Sequence, residues 1–261
     1  MPSPACDRIS RLRDFPLGDD YLEYCRETAT HARDLHDLAR RGRGKKELTR
    51  LIHEHIVEAV DLRAGDDLVD IGCGDGTLLR MAREVDVRSA LGLLATDEEV
   101  ALVRRTGLNV RQGLTDRLPV PDASASVVVC NSVLLVVPRE TIPASLREIC
   151  RIAKPGAWIF IGEIPFAEFK DPTPEFKSRR EELSYRYRKH GSRTWFGMLR
   201  RMAWEQVSGK SAVIQAGTAI PFFATPEEFV ALAQAAGLEP VRHWQSDYPK
   251  TRNNYLLRKP N

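Results

Sequence analysis

Residues 67–85 read DLVDIGCGDGTLLRMAREV. The first five, DLVDI, form a short apolar run of strand type. A glycine-rich loop follows, and TLLRMAREV then carries the spacing of a helix. Gly72 permits the tight turn, while Gly74 and Gly76 let a ligand approach the backbone closely. Amides at the start of the helix favour a carboxylate or a phosphate. A GxGxG loop alone is a weak signal. Its position between a strand and a helix points to a cofactor site of nucleotide type.

The pattern continues outward from the loop. SALGLL (89–94) reads as a second strand. TDEEVALVRRTG (96–107) reads as a helix, with Thr96 or Asp97 as N-cap and Gly107 ending it. LNVRQG (108–113) is a third strand. SVVVCN (126–131), apolar throughout, is a fourth strand covered on both faces. SLREICRIAKPG (145–156) is a helix closed by Pro155 and Gly156, and AWIFIGEI (157–164) is a fifth strand. This alternation predicts an α/β, doubly wound, mainly parallel sheet. Later, TPEEFVALAQAAG (225–237) has Thr225 as cap, Pro226 at N1, Glu228 completing a capping box and Gly237 as terminator. LEPVRHW and NNYLLRK read as two last strands. Upstream, residues 19–41 and 45–60 read as helices joined by the basic linker RRGRGKK. The first fifteen or so residues, with Pro2, Pro4 and Pro16, read as a loose arm.

The chain has 261 residues, 43% hydrophobic and 29% charged. That suits one α/β domain with additions, or two small ones. No apolar run is long enough to span a membrane. The N-terminal residues carry no secretion signal. Five scattered cysteines form no CxxC pair and no metal-type cluster, which fits reduced thiols in a cytoplasm. A net charge of +3 is too mild to argue for nucleic acid.

VDIGCGDG (69–76), LPVPD (118–122), SVVVCNSVL (126–134), SLREICRIAKPGAWIFIGE (145–163) and TPEEFVALAQAAGLEPV (225–241) together resemble the class I S-adenosylmethionine-dependent methyltransferases. The likeness is to the small-molecule, type 11-like group. It covers residues from about 45 to 164 and from 225 to the end. It implies a Rossmann-like, seven-stranded, mainly parallel sheet with a reversed last strand. It also implies an N-terminal helical extension (1–60), a cofactor-binding core (61–164 and 225–261) and a helical substrate-lid insertion (165–224). S-adenosylmethionine is the cofactor so implied. Asp70, Gly72, Cys73, Gly74 and Gly76 would surround its methionine part, and Asn131 and Ser132 would lie near the transferred methyl.

The chain departs from the family at two places. The family carries an acid at the end of the second strand, where it holds both ribose hydroxyls. An ungapped alignment puts Leu94 there, with Thr96 and Asp97 just beyond. A second acid follows the third strand, beside the adenine, and Leu114 stands in its place with Asp116 two residues on. Each lost charge-assisted hydrogen bond costs about 1.5–3 kcal/mol. Three explanations remain open. Asp97 and Asp116 take over the roles through loop shifts. Backbone groups or an Arg substitute, with the adenosine held mainly by apolar contacts. Or the site no longer binds the usual cofactor.

In residues 165–224, aromatics including Tyr185, Tyr187 and Trp195 are interleaved with Arg186, Arg188, Lys189 and Arg193. This suits a lid that binds an anionic or aromatic small-molecule acceptor through Arg forks and stacking, with Tyr185, Arg188 and Trp195 as contacts. The plainer alternative is an amphipathic helix pair. After the fourth strand, Leu135 and Val136 stand where some family members carry a histidine base. His190, Glu163 and His243 are the remaining candidates for a catalytic base. The expected activity is methyl transfer to a hydroxyl oxygen of a small metabolite, such as a sugar or secondary metabolite. The alternative is a methyltransferase-like protein with lost or altered cofactor use, acting as a binding or non-methylating protein. An RNA-modifying enzyme is a third idea, but CNSVLL lacks an Asn-Pro-Pro-Tyr-type motif. The sequence leaves the oligomeric state open.

Overall fold

A computed structural model describes residues 19–32, 34–36, 38, 46–165, 187, 222–246 and 252–261. In chain order the elements are α1 (Asp19–His31), α2 (Lys46–Ala59), β1 (Asp67–Ile71), α3 (Thr77–Glu84), β2 (Ser89–Leu94), α4 (Asp97–Arg104), β3 (Val110–Gln112), β4 (Ala125–Asn131), α5 (Ile142–Ile152), β5 (Ala153–Pro165), α6 (Pro226–Ala235), β6 (Glu239–Gln245) and β7 (Arg252–Arg258). Two 3-10 turns, Leu134–Val136 and Arg139–Thr141, lie between β4 and α5.

The seven strands form one sheet in the order β3-β2-β1-β4-β5-β7-β6. The first five are parallel, and β7 runs antiparallel between β5 and β6. The register is set by apolar alternation. Val69, Ile71, Val128, Cys130, Ile159 and Ile161 pack on one face under α5 and α6, with Leu146, Ile149, Phe229 and Ala233. Leu68, Val127, Val129 and Phe160 pack on the other under α2 and α3, with Ile56, Val60, Leu78 and Ala82. A third cluster lies along α4 and β3. It receives Ala29 and Leu38 from the N-terminal segment. Among the described residues no helix is long and apolar enough to cross a membrane.

Three boundaries differ from expectation. The first helix ends at His31 rather than near residue 41. Thr28 and Thr30 turn their hydroxyls back onto the carbonyls of Tyr24 and Arg26, at 2.8 and 2.9 Å, which weakens the last turn. The helix expected at 145–156 runs instead from Ile142 to Ile152, with a proline in its first turn. Pro155 disfavours helical backbone at Lys154, so the helix stops earlier and Ala153 already begins β5. Arg105, not Gly107, is the C-cap of α4; Gly107 follows in a left-handed turn.

Candidate cofactor site

The strand order reverses direction between β1 and β4, and a crevice at the carboxyl ends of such strands is where α/β sheets bind ligands. In β1, Asp70 pairs with Gly92 of β2 on one side and Val129 of β4 on the other. Alternation keeps Val69 and Ile71 in the core under α5, and Asp70 faces the opposite way. Asp70 is 3% exposed, and among the described residues its Oδ2 has no hydrogen-bond partner. Burial, and then the charge of Asp75, push its carboxyl up to about 7. An orphaned acid of this kind is expensive unless something cationic or donating meets it.

The loop above it is tightly built. Gly72 has φ +74°, and a Cβ there would run into Val133, from the turn after β4. The N–H groups of Gly72 and Cys73 both donate to Leu93 O, at 2.9 and 3.1 Å, tying the loop to the neighbouring strand. Gly76 is the N-cap of α3 and has no side chain to offer. Asp75 does that work instead: its Oδ1 accepts from Thr77 N at 2.9 Å and Thr77 Oγ1 at 2.6 Å. His36 reaches across from the N-terminal segment to place Nδ1 3.6 Å from Asp75 Oδ2.

The end of β2 has a different character. Leu94 is 3% exposed and shares an apolar cluster with Cys73, Leu79, Val100, Val103, Ala29 and Leu38. Burial, then the charges of Asp70, Glu99 and Asp75, raise the Cys73 thiol well above its ordinary range. Thr96 is the N-cap of α4 in a full capping box with Glu99. Glu99 Oε2 accepts from Thr96 N at 3.2 Å and Thr96 Oγ1 at 3.1 Å. Asp97 and Asp116 are both exposed. Gly113 N donates to Leu94 O at 2.9 Å, joining β3 to β2, and half-buried Leu114 forms a bridge with Arg117.

At the ends of β4 and β5 the backbone is strained. Ser132 has φ +58° and Glu163 φ +67°, both in the left-handed region that non-glycine residues rarely adopt. Ser132 N donates to Gly162 O at 3.1 Å, and Asn131 packs where a side chain at Gly162 would stand. The Glu163 carboxylate accepts from Ser246 Oγ and Arg252 Nη1, each at 3.0 Å, and its N–H donates to Asn254 Oδ1. Both oxygens of this candidate base are therefore engaged. His243 lies exposed on the edge strand β6, its ring stacked on Tyr255 at 6.0 Å and separated from β4 by β5 and β7. His190, Tyr185, Arg188 and Trp195 lie outside the described residues. The chain leaves β5 at Pro165, and Ala224 N returns to donate to Pro165 O at 3.1 Å. The segment thus starts and ends at one point beside the carboxyl ends of β4 and β5.

The structure therefore gathers Asp70, Gly72, Cys73, Gly74, Gly76, Leu94 and Thr96 around one loop, with Asn131 and Ser132 at the neighbouring strand end. Glu163 follows Gly162, the residue that bonds Ser132, with its carboxylate held by Ser246 and Arg252, and His243 lies out on the edge strand. Sequence reasoning passed over Asp75 and Glu99, although Asp-x-Thr before a helix and Thr-x-x-Glu at residues 96–99 are both capping signals. It also missed His36, whose contact depends on distant packing that no local pattern announces.

The methionine half of an adenosyl cofactor fits these residues. Its ammonium group suits the unpartnered Asp70 oxygen, and the loop around Gly72 leaves no room for a side chain of its own. The adenosine half would meet Leu94, which is buried, and Leu114, which is half-buried, while Asp97 and Asp116 are exposed.

Residues 69–161 match the family model described as a methyltransferase domain. A malonyl-[acyl-carrier protein] O-methyltransferase from Serratia marcescens is 32% identical over 118 residues, 45% of this chain and 46% of that protein. A 27-O-demethylrifamycin SV methyltransferase from Amycolatopsis mediterranei (strain S699) is 30% identical over 129 residues, 45% of this chain and 46% of that protein. The chain thus matches about half the length of these curated relatives. Among solved structures, the [4+2]-cyclase SpnF superposes with a TM-score of 0.60 at 16% identity, covering 95% of this chain and 97% of the other. A SAM-dependent methyltransferase from Aquifex aeolicus gives 0.53 at 15% identity, covering 83% and 94%. At such identities the structural likeness is one of fold. The seven-stranded sheet and its glycine loop thus carry a Rossmann-like fold shared with S-adenosylmethionine-dependent methyltransferase structures, and residues 69–161 match a methyltransferase domain.

Proposed function

We propose that this chain transfers the methyl group of S-adenosylmethionine to a hydroxyl oxygen of a small metabolite, a sugar or secondary metabolite, in the cytoplasm. One observation carries the reading: the orphaned Asp70 oxygen beneath a left-handed glycine loop at the switch point of the sheet. The names of the two relatives, both describing methyl transfer and one naming oxygen as the acceptor, support it. Scattered cysteines without a CxxC pair support the compartment.

Asp70, Gly72, Cys73, Gly74 and Gly76 would hold the methionine part. The cofactor supplies an already electrophilic methyl group. The protein's share is alignment and exclusion of water. Asn131 and Ser132 would line the methyl end, with Ser132 held in its left-handed conformation by the bond to Gly162 O. Residues 165–224 would receive an anionic or aromatic acceptor through Tyr185, Arg188 and Trp195. The engagement of Glu163 by Ser246 and Arg252 leaves His190 as the candidate to take the hydroxyl proton.

The test is incubation with methyl-labelled S-adenosylmethionine and a panel of hydroxylated sugars and secondary metabolites, with products read by mass spectrometry. O-methylated product is expected. Bound cofactor with no transfer to any acceptor would favour the second reading, a methyltransferase-like protein with a non-methylating role. Leu94 at the ribose position is the observation on that side.

A further inference from the structure

We infer that this chain recognises its adenosyl cofactor without reading the ribose diol, so that the 2′- and 3′-hydroxyls are not determinants of binding. The inference rests on the cofactor assignment above and specifies how that cofactor is held.

Leu94 ends β2 at the position from which a carboxylate would reach both hydroxyls. It is not turned out to solvent, and its partner across the sheet in β3, Gln112, gives its Nε2 to Ala95 O at 3.2 Å. Leu94 is 3% exposed and packs with Cys73 of the glycine loop and with Ala29 and Leu38 of the N-terminal segment. The two ends of the site are thus bridged by apolar contacts where the family would place charge. The neighbouring acids are committed elsewhere. Asp97 is the first residue of α4 and its side chain is exposed. Glu99 is buried, but its Oε2 accepts from both Thr96 N and Thr96 Oγ1. Drawing Glu99 out to a ribose would uncap α4. The strand end itself is closed by backbone pairing, with Leu94 O taken by Gly113 N. What β2 presents to a nucleoside is apolar area, which favours a purine and a ribose ring face but is indifferent to whether a hydroxyl is present.

A carboxylate accepting a ribose hydroxyl is worth roughly tenfold or more in affinity, because the bond is charge-assisted. Without it, deleting a hydroxyl changes little. The experiment titrates the full chain by calorimetry with S-adenosylhomocysteine and with its 2′-deoxy and 3′-deoxy forms. The three dissociation constants are expected to agree within about threefold. A deoxy form weaker by tenfold or more would overturn the inference while leaving the cofactor assignment intact. Glu99→Gln would then show whether Glu99 is the acid responsible. Failure of S-adenosylhomocysteine itself to bind would overturn both. Leu94→Asp should install the missing preference, favouring the diol by about tenfold over the deoxy forms. The native chain decides the question even if that variant folds poorly.

Discussion

The carboxyl ends of β1 and β2 lie side by side, Ile71 opposite Leu93, yet their chemistry is opposite. The β1 end buries Asp70, whose Oδ2 has no partner among the described residues, and holds three glycines in left-handed conformations. The β2 end carries Leu94 and is filled by leucine and a buried thiol. The first is costly to the folded protein, a cost that a cationic or donating ligand would offset. The second is cheap to fold and gives up polar recognition. On the proposed reading, binding energy would be concentrated on the half of the cofactor at β1, and the half at β2 would be held by shape.

The largest expected effect breaks that contrast at β2. Leu94→Asp places an unpaired charge in the apolar cluster with Cys73 and Leu38, and should destabilise the free protein by about 3–5 kcal/mol in urea melts. Loss of under 1 kcal/mol would show that the cluster is wet. Next is the pH dependence of Asp70. Its folded value is raised from 3.8 to about 7, so its neutral form is favoured by folding. The stability it contributes is full below about pH 4 and is lost as pH rises through 7, on the order of a few kcal/mol. Asp70→Asn should flatten the stability profile between pH 4 and 8 and leave the free protein more stable at pH 8. A variant with the same slope as the native chain would remove Asp70 as the source. Gly72→Ala sets a side chain at φ +74° against Val133, and should cost about 1–3 kcal/mol in thermal melts and abolish cofactor binding. The smallest effect sharpens the β2 side: Thr96→Ala removes the N-cap of α4, for about 1 kcal/mol, without touching the β1 loop. A change in Asp70 titration in that variant would mean that the two ends are coupled.

Much of this was legible in the chain. DLVDI and SALGLL coincide with β1 and β2, because each is an apolar run ended by turn chemistry that local sequence carries. Thr225, Pro226 and Glu228 announced α6 for the same reason. The end of α5 lies four residues before the one expected from Lys-Pro-Gly, because Ala153 pairs with Ala125 of β4 and Gly156 N bonds Lys259 O, which draws those residues into β5. Glu163 looked free as a base in sequence. Its partners Ser246 and Arg252 lie more than eighty residues away, and only the closing of the sheet brings them together. Leu94 was visible as a missing acid. That it shares an apolar cluster with Ala29 and Leu38 of the N-terminal segment depends on tertiary packing.

On the proposed reading, Asp70 is a cation-receiving group and the anchor of an adenosyl cofactor. Calorimetric titration at pH 8 with S-adenosylhomocysteine, native chain beside Asp70→Asn, tests it most directly. Roughly micromolar binding by the native chain with at least a tenfold loss in the variant is the predicted result. Equal affinity in the two proteins, or no binding by the native chain, would contradict it.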